Sequence, residues 1–297
     1  MPLSFRKNIL VAIAGLLLIL PFLWLFLAEQ QSPDSQPADV LQKYLKAVYA
    51  RDFRQAYRFI SSQDKKLKQE TVYIRERGPF LGFTAELAQR LADLIEIQPI
   101  QRRQVANRAL IKLSLKLPDA NSVAPLVMEW DEERLNALSR NEQQRILAAI
   151  ERLIKNNSLK EIEGEEEFAM VREGTTWKVF LDWAAGIKVA FNATVPSGDF
   201  IQAQAVIKET VARPGELFTI AYRVQNYSRQ DLVTRIIHHV EPKELSEYLD
   251  LVECALLLPV RLLPGEQREY ASTYLVRGDL PEGFKALNVT YEFTLDR

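Results

Sequence analysis

The sequence predicts an α+β protein in which a transmembrane helix is followed by an α+β domain and then an all-β domain. Three observations support this: an unbroken apolar run at residues 9–27, helix-spaced apolar residues that give way to alternating ones, and short alternating segments after Gly186. The predicted segments are a cytoplasmic N-terminus (1–8), an anchor (9–28), a linker (29–37), an α+β domain (38–186) and an all-β domain (187–297).

The apolar run has the length and the flanking charges of a membrane anchor. A helix needs about 20 apolar residues to cross about 30 Å of hydrocarbon. Arg6 and Lys7 precede the run, and the positive-inside rule therefore leaves them in the cytoplasm. A cleaved signal peptide would have a shorter core and a small-x-small site, whereas this run ends in Leu25-Phe26-Leu27. The sequence predicts a single-pass inner-membrane protein with a periplasmic bulk.

Composition excludes several classes of function. The 38 basic and 39 acidic residues leave a net charge of −1, so no broad positive field attracts nucleic acid or anionic lipid. A single cysteine, Cys254, rules out an internal disulfide framework. We also find no Gly-rich phosphate loop and no His-x-x-x-His spacing. Stability must therefore come from packed apolar cores.

The first predicted domain begins with helices and ends with strands. Apolar residues recur at three- and four-residue steps from Ala38, and later alternate as on a half-buried strand. Glu173-Gly174 between two alternating segments predicts a hairpin. In order, the predicted elements are a helix at 38–49, a helix capped by Asp52 and ended by Ser61 and Ser62, a helix at 85–95, strands at 109–117 and 126–130, a helix at 131–155 and the hairpin at 166–181.

Helices followed by a sheet that closes on Gly174-Thr175-Thr176-Trp177-Lys178-Val179 resemble the nuclear transport factor 2-like (cystatin-like) cone. The resemblance covers residues 38–185, and the helix at 131–155 is interpreted as an insertion. A proton-transfer pocket would want a His or Asp facing an apolar cavity, but this domain contains no histidine. We interpret its best lone acid, Asp182, as a loop or cap residue. The domain is predicted to be a spacer or a protein-binding module and not an enzyme.

The region after Gly186 has the sequence pattern of a β-sandwich. Short apolar strands separated by Pro-Gly-Glu turns at 214–216 and 264–266 predict an immunoglobulin-like fold of about seven strands. The predicted strands are 189–195, 204–211, 217–224, 232–240, 254–263, 270–276 and 286–295.

Several short motifs in this region resemble one family. They are Pro214-Gly215-Glu216, Tyr222-Arg223-Val224-Gln225-Asn226, Val240-Glu241-Pro242, Tyr248, Cys254, Leu262-Leu263-Pro264-Gly265-Glu266, Leu280-Pro281 and Val289-Thr290-Tyr291-Glu292-Phe293. In this order and spacing they resemble the copper-delivery assembly factors of cytochrome c oxidase (CtaG type) over residues 201–297. The resemblance implies one N-terminal anchor, a part in respiratory-chain biogenesis and an oxidase subunit as the protein client.

The resemblance also implies a copper motif, which this chain carries only in part. The family's Cys-Phe-Cys-Phe strand binds Cu(I) through two thiolates, and the matching residues here are Cys254-Ala255-Leu256-Leu257. One thiolate cannot complete a Cu(I) site by itself, although two copies of Cys254 across a homodimer could. Either His238 or His239 could add a nitrogen ligand, but not both, because adjacent strand residues point to opposite faces. The alternative, which we favour, is a pair of edge histidines that form no site. Cu(I) is the only cofactor that the resemblance implies.

A competing interpretation makes Cys254 a small buried hydrophobic residue on one strand face with Val252, Leu256 and Leu258. The anchor and the family resemblance together give the leading functional hypothesis, a tethered, non-catalytic oxidase assembly factor. The alternative is a metal-free interaction module of the same fold. A third hypothesis, a ligand-binding or hydrolytic cone in the first domain, rests on fold analogy alone and requires a deep apolar pocket.

Overall fold

The computed structural model describes residues 36–127, 131–195, 200–281 and 283–295. The predicted anchor at 9–28 and most of the predicted linker lie outside these ranges. Within them, none of the helices combines the length and the apolar character that crossing a bilayer requires. The combination of helices with several β-sheets confirms the α+β class at this coarse level.

The first part of the described chain consists of helices and a four-stranded antiparallel sheet in the order β1-β2-β3-β4. Its helices are α1 (Pro37–Tyr49), α2 (Phe53–Phe59), α3 (Ser62–Lys65), α4 (Glu70–Arg77), α5 (Gly82–Asp93), α6 (Ala120–Val127), α7 (Glu132–Ala137) and α8 (Arg140–Lys155). Its strands are β1 (Glu96–Val105), β2 (Arg108–Pro118), β3 (Glu161–Glu173) and β4 (Thr176–Phe180).

One face of this sheet forms the first apolar core. Alternate residues of β2, such as Ile111 and Leu113, are buried against Leu41 of α1 and its neighbours. The opposite face is charged, since Lys112 on β2 pairs with Glu165 on β3. As predicted, Asp52 caps α2 by accepting a hydrogen bond from the Gln55 amide (3.0 Å). The observed hairpin turns at Gly174, which has a positive φ of 60°.

Two predicted elements of this part are wrong. Residues 126–127 belong to helix α6 and not to a strand, and residues 128–130 lie outside the described ranges. The predicted helix at 131–155 is two helices, because Ser139 and Glu142 form a capping box that starts α8. Ser61 likewise does not simply end α2, since its hydroxyl caps α3. Helices α5 to α8 enclose a separate apolar cluster that includes Leu87, Leu135 and Ile150.

The second part of the chain consists of two sheets around one core. The four-stranded sheet has the order β10-β12-β8-β6 and the five-stranded sheet the order β11-β9-β13-β5-β7. Strand β13 lies between β5, its parallel partner, and β9, its antiparallel partner. The strands are β5 (Ile187–Thr194), β6 (Ile201–Ala205), β7 (Glu209–Ala212), β8 (Leu217–Asn226), β9 (Leu232–Glu241), β10 (Leu249–Cys254), β11 (Val260–Leu262), β12 (Gln267–Val276) and β13 (Ala286–Leu295).

Nine strands are present in the described residues of this part, where about seven were predicted. The predicted strand at 204–211 is two strands, because the chain crosses from one sheet to the other at Val206–Lys208. The predicted strand at 254–263 is also wrong. Cys254 ends β10, a turn follows, and β11 begins at Val260 in the other sheet.

The two parts meet at a close backbone contact. Gly186 connects the first part to β5, and a Cβ at this position would lie 2.7 Å from the carbonyl oxygen of Ala212. Only glycine fits this approach without a backbone shift. Trp183, which is 1% exposed, packs on the first core immediately before this connection.

Charged side chains are buried where the two parts touch. The side chains of Lys68 and Glu76 are fully buried and form an ion pair. The Thr210 hydroxyl donates to the second oxygen of Glu76 (2.6 Å), and Arg77 pairs with Glu216. Burial raises the pKa of Glu76, while Lys68 and the Thr210 hydrogen bond oppose that rise. The interface therefore depends on paired charges as well as apolar contact.

Candidate functional site

Cys254 lies at the end of an edge strand and faces a polar cluster between the two sheets. It pairs with Ser272 on β12, and its side chain is half-buried. The Ser272 hydroxyl donates to the Cys254 sulfur (3.3 Å), and the Tyr291 hydroxyl lies 3.4 Å from the same atom. The hydrogen-bond partners of the thiol are thus hydroxyl groups.

These hydroxyls continue as a chain across the sandwich. The Tyr274 hydroxyl donates to that of Tyr291 (2.8 Å), which donates to Ser272 (2.9 Å). At the other end, Nε2 of His238 lies 3.4 Å from the Tyr274 oxygen. We call Tyr274, Tyr291 and Ser272 the hydroxyl chain. It connects His238 to Cys254 without a direct contact between the two.

Burial keeps the tyrosines of this cluster neutral. Burial raises the pKa of Tyr274 and of Tyr291 far above the ordinary value. The neighbouring tyrosines and Cys254 add to the rise at Tyr274, whereas at Tyr291 Cys254 adds to it and the hydrogen bonds with Ser272 and Tyr274 oppose it. Tyr222 stacks on Tyr291 with ring centroids 4.2 Å apart, and its buried hydroxyl has no hydrogen-bond partner among the described residues. A neutral phenol can donate and accept, and in the structure Tyr274 donates to Tyr291, Tyr291 to Ser272 and Ser272 to the Cys254 sulfur.

The two histidines lie on opposite sides of β9, as the strand geometry predicts. His238 packs edge-on against the Tyr291 ring (5.3 Å between centroids). His239 is exposed and lies 3.1 Å from the Glu292 carboxylate. Only His238 therefore belongs to the cluster that contains Cys254.

Protonation of His238 makes the free energy of unfolding depend on pH. Burial, and to a smaller extent His239, lower the pKa of His238. As the pH falls through about 6.5, the unfolded chain takes up a proton before the folded protein does, so the free energy of unfolding falls. Below the folded-state pKa the loss levels off. We expect His238→Gln to remove this component from urea unfolding curves measured across that range.

His239→Gln is the matched control, because it changes an exposed imidazole on the same strand. This variant should retain most of the loss of stability that accompanies protonation of His238, because burial is the larger cause of the lowered His238 pKa and His239 the smaller one. A His238→Gln protein with the full wild-type dependence would contradict the assignment.

The surroundings of Cys254 do not supply a complete Cu(I) site within one chain. Cu(I) prefers soft thiolate or thioether ligands, whereas the atoms around this sulfur are hydroxyls. Leu256, at the position of the family's second thiol, is 1% exposed in the apolar core. In the described part of the chain, no three His, Cys, Asp or Glu residues are grouped to hold a metal ion.

The face that alternation predicts for Cys254 is wrong. The register shifts between Leu251 and Glu253, so Val252 is bulged and 57% exposed. Leu258, predicted on the same face, is 76% exposed and lies beyond the strand. Only Leu256 is buried as that interpretation expects, and it is in a turn.

Sequence reasoning missed the hydroxyl chain. Its members come from β12 and β13, which are distant along the chain from β10. The available signal was that Tyr274 and Tyr291 occupy inward positions of alternating strands, where a hydroxyl needs a partner. Asp182, the lone acid singled out in the first part, precedes a short 3₁₀ helix at Trp183–Ala185 and makes no side-chain cap bond there.

The first part contains an apolar pocket of about 380 Å³ among α5 to α8, lined by residues such as Leu91, Val123 and Ile150. Thr84 and Glu132 are among its lining side chains, and the Thr84 hydroxyl bonds the Glu132 carboxylate (3.3 Å). The pocket has the apolar lining that the ligand-binding hypothesis requires. Its polar side chains Thr84 and Glu132 do not form the nucleophile–histidine pair that a hydrolase of the serine type would need.

The fold therefore presents a two-sheet β unit with a cysteine at the edge of a hydroxyl-rich cluster. Residues 157–295 match the sequence model of the family described as cytochrome c oxidase assembly protein CtaG/Cox11. This match supports the predicted resemblance for the C-terminal region, and it starts earlier than residue 201. The nuclear transport factor 2-like and immunoglobulin-like assignments stay predictions.

Individual relatives show the same similarity. The chain is 27% identical over 112 residues to the cytochrome c oxidase assembly protein CtaG of Sinorhizobium medicae, a stretch covering 36% of this chain and 57% of that protein. The protein of the same description from Rhizobium meliloti is 28% identical over 115 residues, with the same coverage of 36% and 57%. That from Brucella anthropi is 28% identical over 112 residues, covering 36% and 55%. The chain thus spans little more than half the length of these relatives.

Proposed function

We propose that this chain is a non-catalytic assembly factor for cytochrome c oxidase, tethered to the inner membrane with its folded part in the periplasm. The observation that carries this proposal is the match of residues 157–295 to an oxidase assembly family. The apolar run at 9–27 supports the tether. In this role the β unit contacts an oxidase subunit, and the first part sets its height above the membrane or recruits a further protein.

Deletion of the gene tests this role directly. We expect the producing cell to lose assembled oxidase, measured by haem spectra of isolated membranes, and to regain it from a plasmid copy. Affinity capture of the tagged protein should recover an oxidase subunit. Unchanged oxidase in the deletion strain would contradict the proposal.

Two versions of this function differ in copper. In the first, two copies meet and their Cys254 thiolates share Cu(I) as cargo. The position of Cys254 at the end of edge strand β10 favours this version, because a second chain can approach an open edge. In the second, the β unit works without metal. Buried Leu256 and the hydroxyl partners of Cys254 favour this metal-free version, and we regard it as the better supported of the two.

Titration with Cu(I) under reducing conditions separates the two versions. The metal-free version predicts no tight stoichiometric binding against a chromophoric chelator, and Cys254→Ser should leave oxidase assembly intact. Binding of one Cu(I) per two chains, accompanied by dimerisation and lost in Cys254→Ser, would instead establish the shared-copper version. Ser228→Ala, a hydroxyl change outside the cluster, serves as the control.

A further inference from the structure

A cleft of about 610 Å³ runs along the junction of the two parts of the chain. One wall is the segment 66–69 with the first turns of α4. The other wall is formed by Lys188 of β5 and by residues 206–211, which include the crossing between the two sheets. Val72 and Val206 give the cleft an apolar part between its polar walls.

The cleft concentrates positive charge in a chain that is otherwise balanced. Five cations line it against a single acid, Glu209. Three of these cations are neutralised by ion pairs: Lys68 with Glu76, Arg75 with Glu269 (3.0 Å) and Lys188 with Glu209 (2.7 Å). Lys66 and Lys208 are exposed and form no ion pair with any described residue. The excess charge therefore comes from two lysines on opposite walls.

The start of α4 adds backbone donors to the same place. Its N-cap residue, Gln69, makes no side-chain cap bond, so the amides of the first turn lack the usual capping acceptor. Gln69 and Thr71 both line the cleft. Glu70 in the same turn interacts with the helix dipole, but its side chain is exposed and does not line the cleft. Lysines and amide donors together are the groups that bind oxyanions.

We propose that this cleft binds a phosphate-bearing anion, held by Lys66, Lys208 and the first turn of α4. A phosphate group has more acceptor oxygens and carries more negative charge than a single carboxylate, so a set of two ammonium groups and backbone amides complements it better. Lysine is also a common phosphate ligand. The phosphate belongs to a free anion or to the headgroup of an anionic lipid, and the two sources share this chemistry. The proposal does not depend on a role in oxidase assembly.

Calorimetric titration of the purified full chain tests the site with two probes. The probes are inorganic phosphate and dihexanoyl phosphatidylglycerol below its micelle concentration. The expected result is saturable binding of at least one probe, weakened at least about tenfold in Lys66→Glu/Lys208→Glu because attraction becomes repulsion. Lys155→Glu/Lys160→Glu makes the same charge change at exposed positions outside the cleft and should bind as the wild type does.

Each outcome has a definite meaning. Tighter binding of the lipid than of phosphate assigns the site to a headgroup, and the reverse order assigns it to a free anion. The proposal is overturned if neither probe binds saturably, or if both double variants weaken binding equally. It is also overturned if hexaglutamate binds in a Lys66- and Lys208-dependent way while both phosphate probes fail. Circular dichroism of each variant establishes that it is folded.

Discussion

Replacing Lys68 by Met should lower the free energy of unfolding by about 3–5 kcal/mol, because it leaves the Glu76 carboxylate buried without its cation. Both side chains are fully buried, so water cannot replace the lost partner. Lys68 also lies 3.6 Å from Glu216 and stacks over the Trp183 ring at 4.5 Å. Urea unfolding followed by tryptophan fluorescence should therefore show a lower midpoint.

Lys112→Met provides the matched control for this prediction. Lys112 pairs with Glu165 on the exposed face of the first sheet, where 38% and 55% of the two side chains are exposed. A surface pair of this kind contributes about 0–1 kcal/mol. The double variant Lys68→Met/Glu76→Leu should recover much of the stability, since no unpaired charge remains. A Lys68→Met protein as stable as the Lys112→Met protein would refute the prediction.

Removing the side chain of Tyr291 should cost about 3–5 kcal/mol, the usual range for deleting a large buried aromatic side chain. Tyr291 is 0% exposed and stacks on Tyr222, so Tyr291→Ala leaves a cavity between the two sheets. Tyr291→Phe keeps the ring and removes only the central hydroxyl. That change should cost about 1–3 kcal/mol, because Tyr274 and Ser272 lose a partner in a buried place.

The second readout for Tyr291→Phe is the reactivity of the cysteine. Loss of the hydroxyl 3.4 Å from the sulfur removes a hydrogen-bond partner of the thiol and should therefore change the rate at which Cys254 reacts with a thiol reagent. Tyr227→Phe is the control, because Tyr227 is 56% exposed and its hydroxyl bonds only surface glutamines. If Tyr291→Phe and Tyr227→Phe behave alike in both measurements, the hydroxyl chain does not hold the thiol.

Elements whose signal is local along the chain were predicted well. Strand β2 matches the alternation at 109–117, and β13 matches the predicted strand at 286–295. The cap at Asp52 and the turn at Gly174 also lie where their residue types indicate. In each of these cases the decisive contacts lie within a few residues, so a single sequence contains them.

Features set by distant contacts were not predicted. The interruption between β6 and β7 at Val206–Lys208 arises because these two strands belong to different sheets. The bulge at Val252 arises from the register in which β10 pairs with β12. Strand β1 was not predicted because its residues are mostly exposed and polar. The buried Lys68–Glu76 pair was also missed, since a single lysine or glutamate gives no sign that it lies in an interface.

The place of β13 in its sheet has a consequence for biosynthesis. This strand, at residues 286–295, lies centrally between β5 and β9, and its parallel partner β5 begins almost 100 residues earlier. Until it arrives, both neighbours expose unpaired backbone groups that can recruit other chains. Nascent protein stalled before residue 286 should therefore be a target for chaperones or proteases, and completion of the sheet must wait for translation of this last strand.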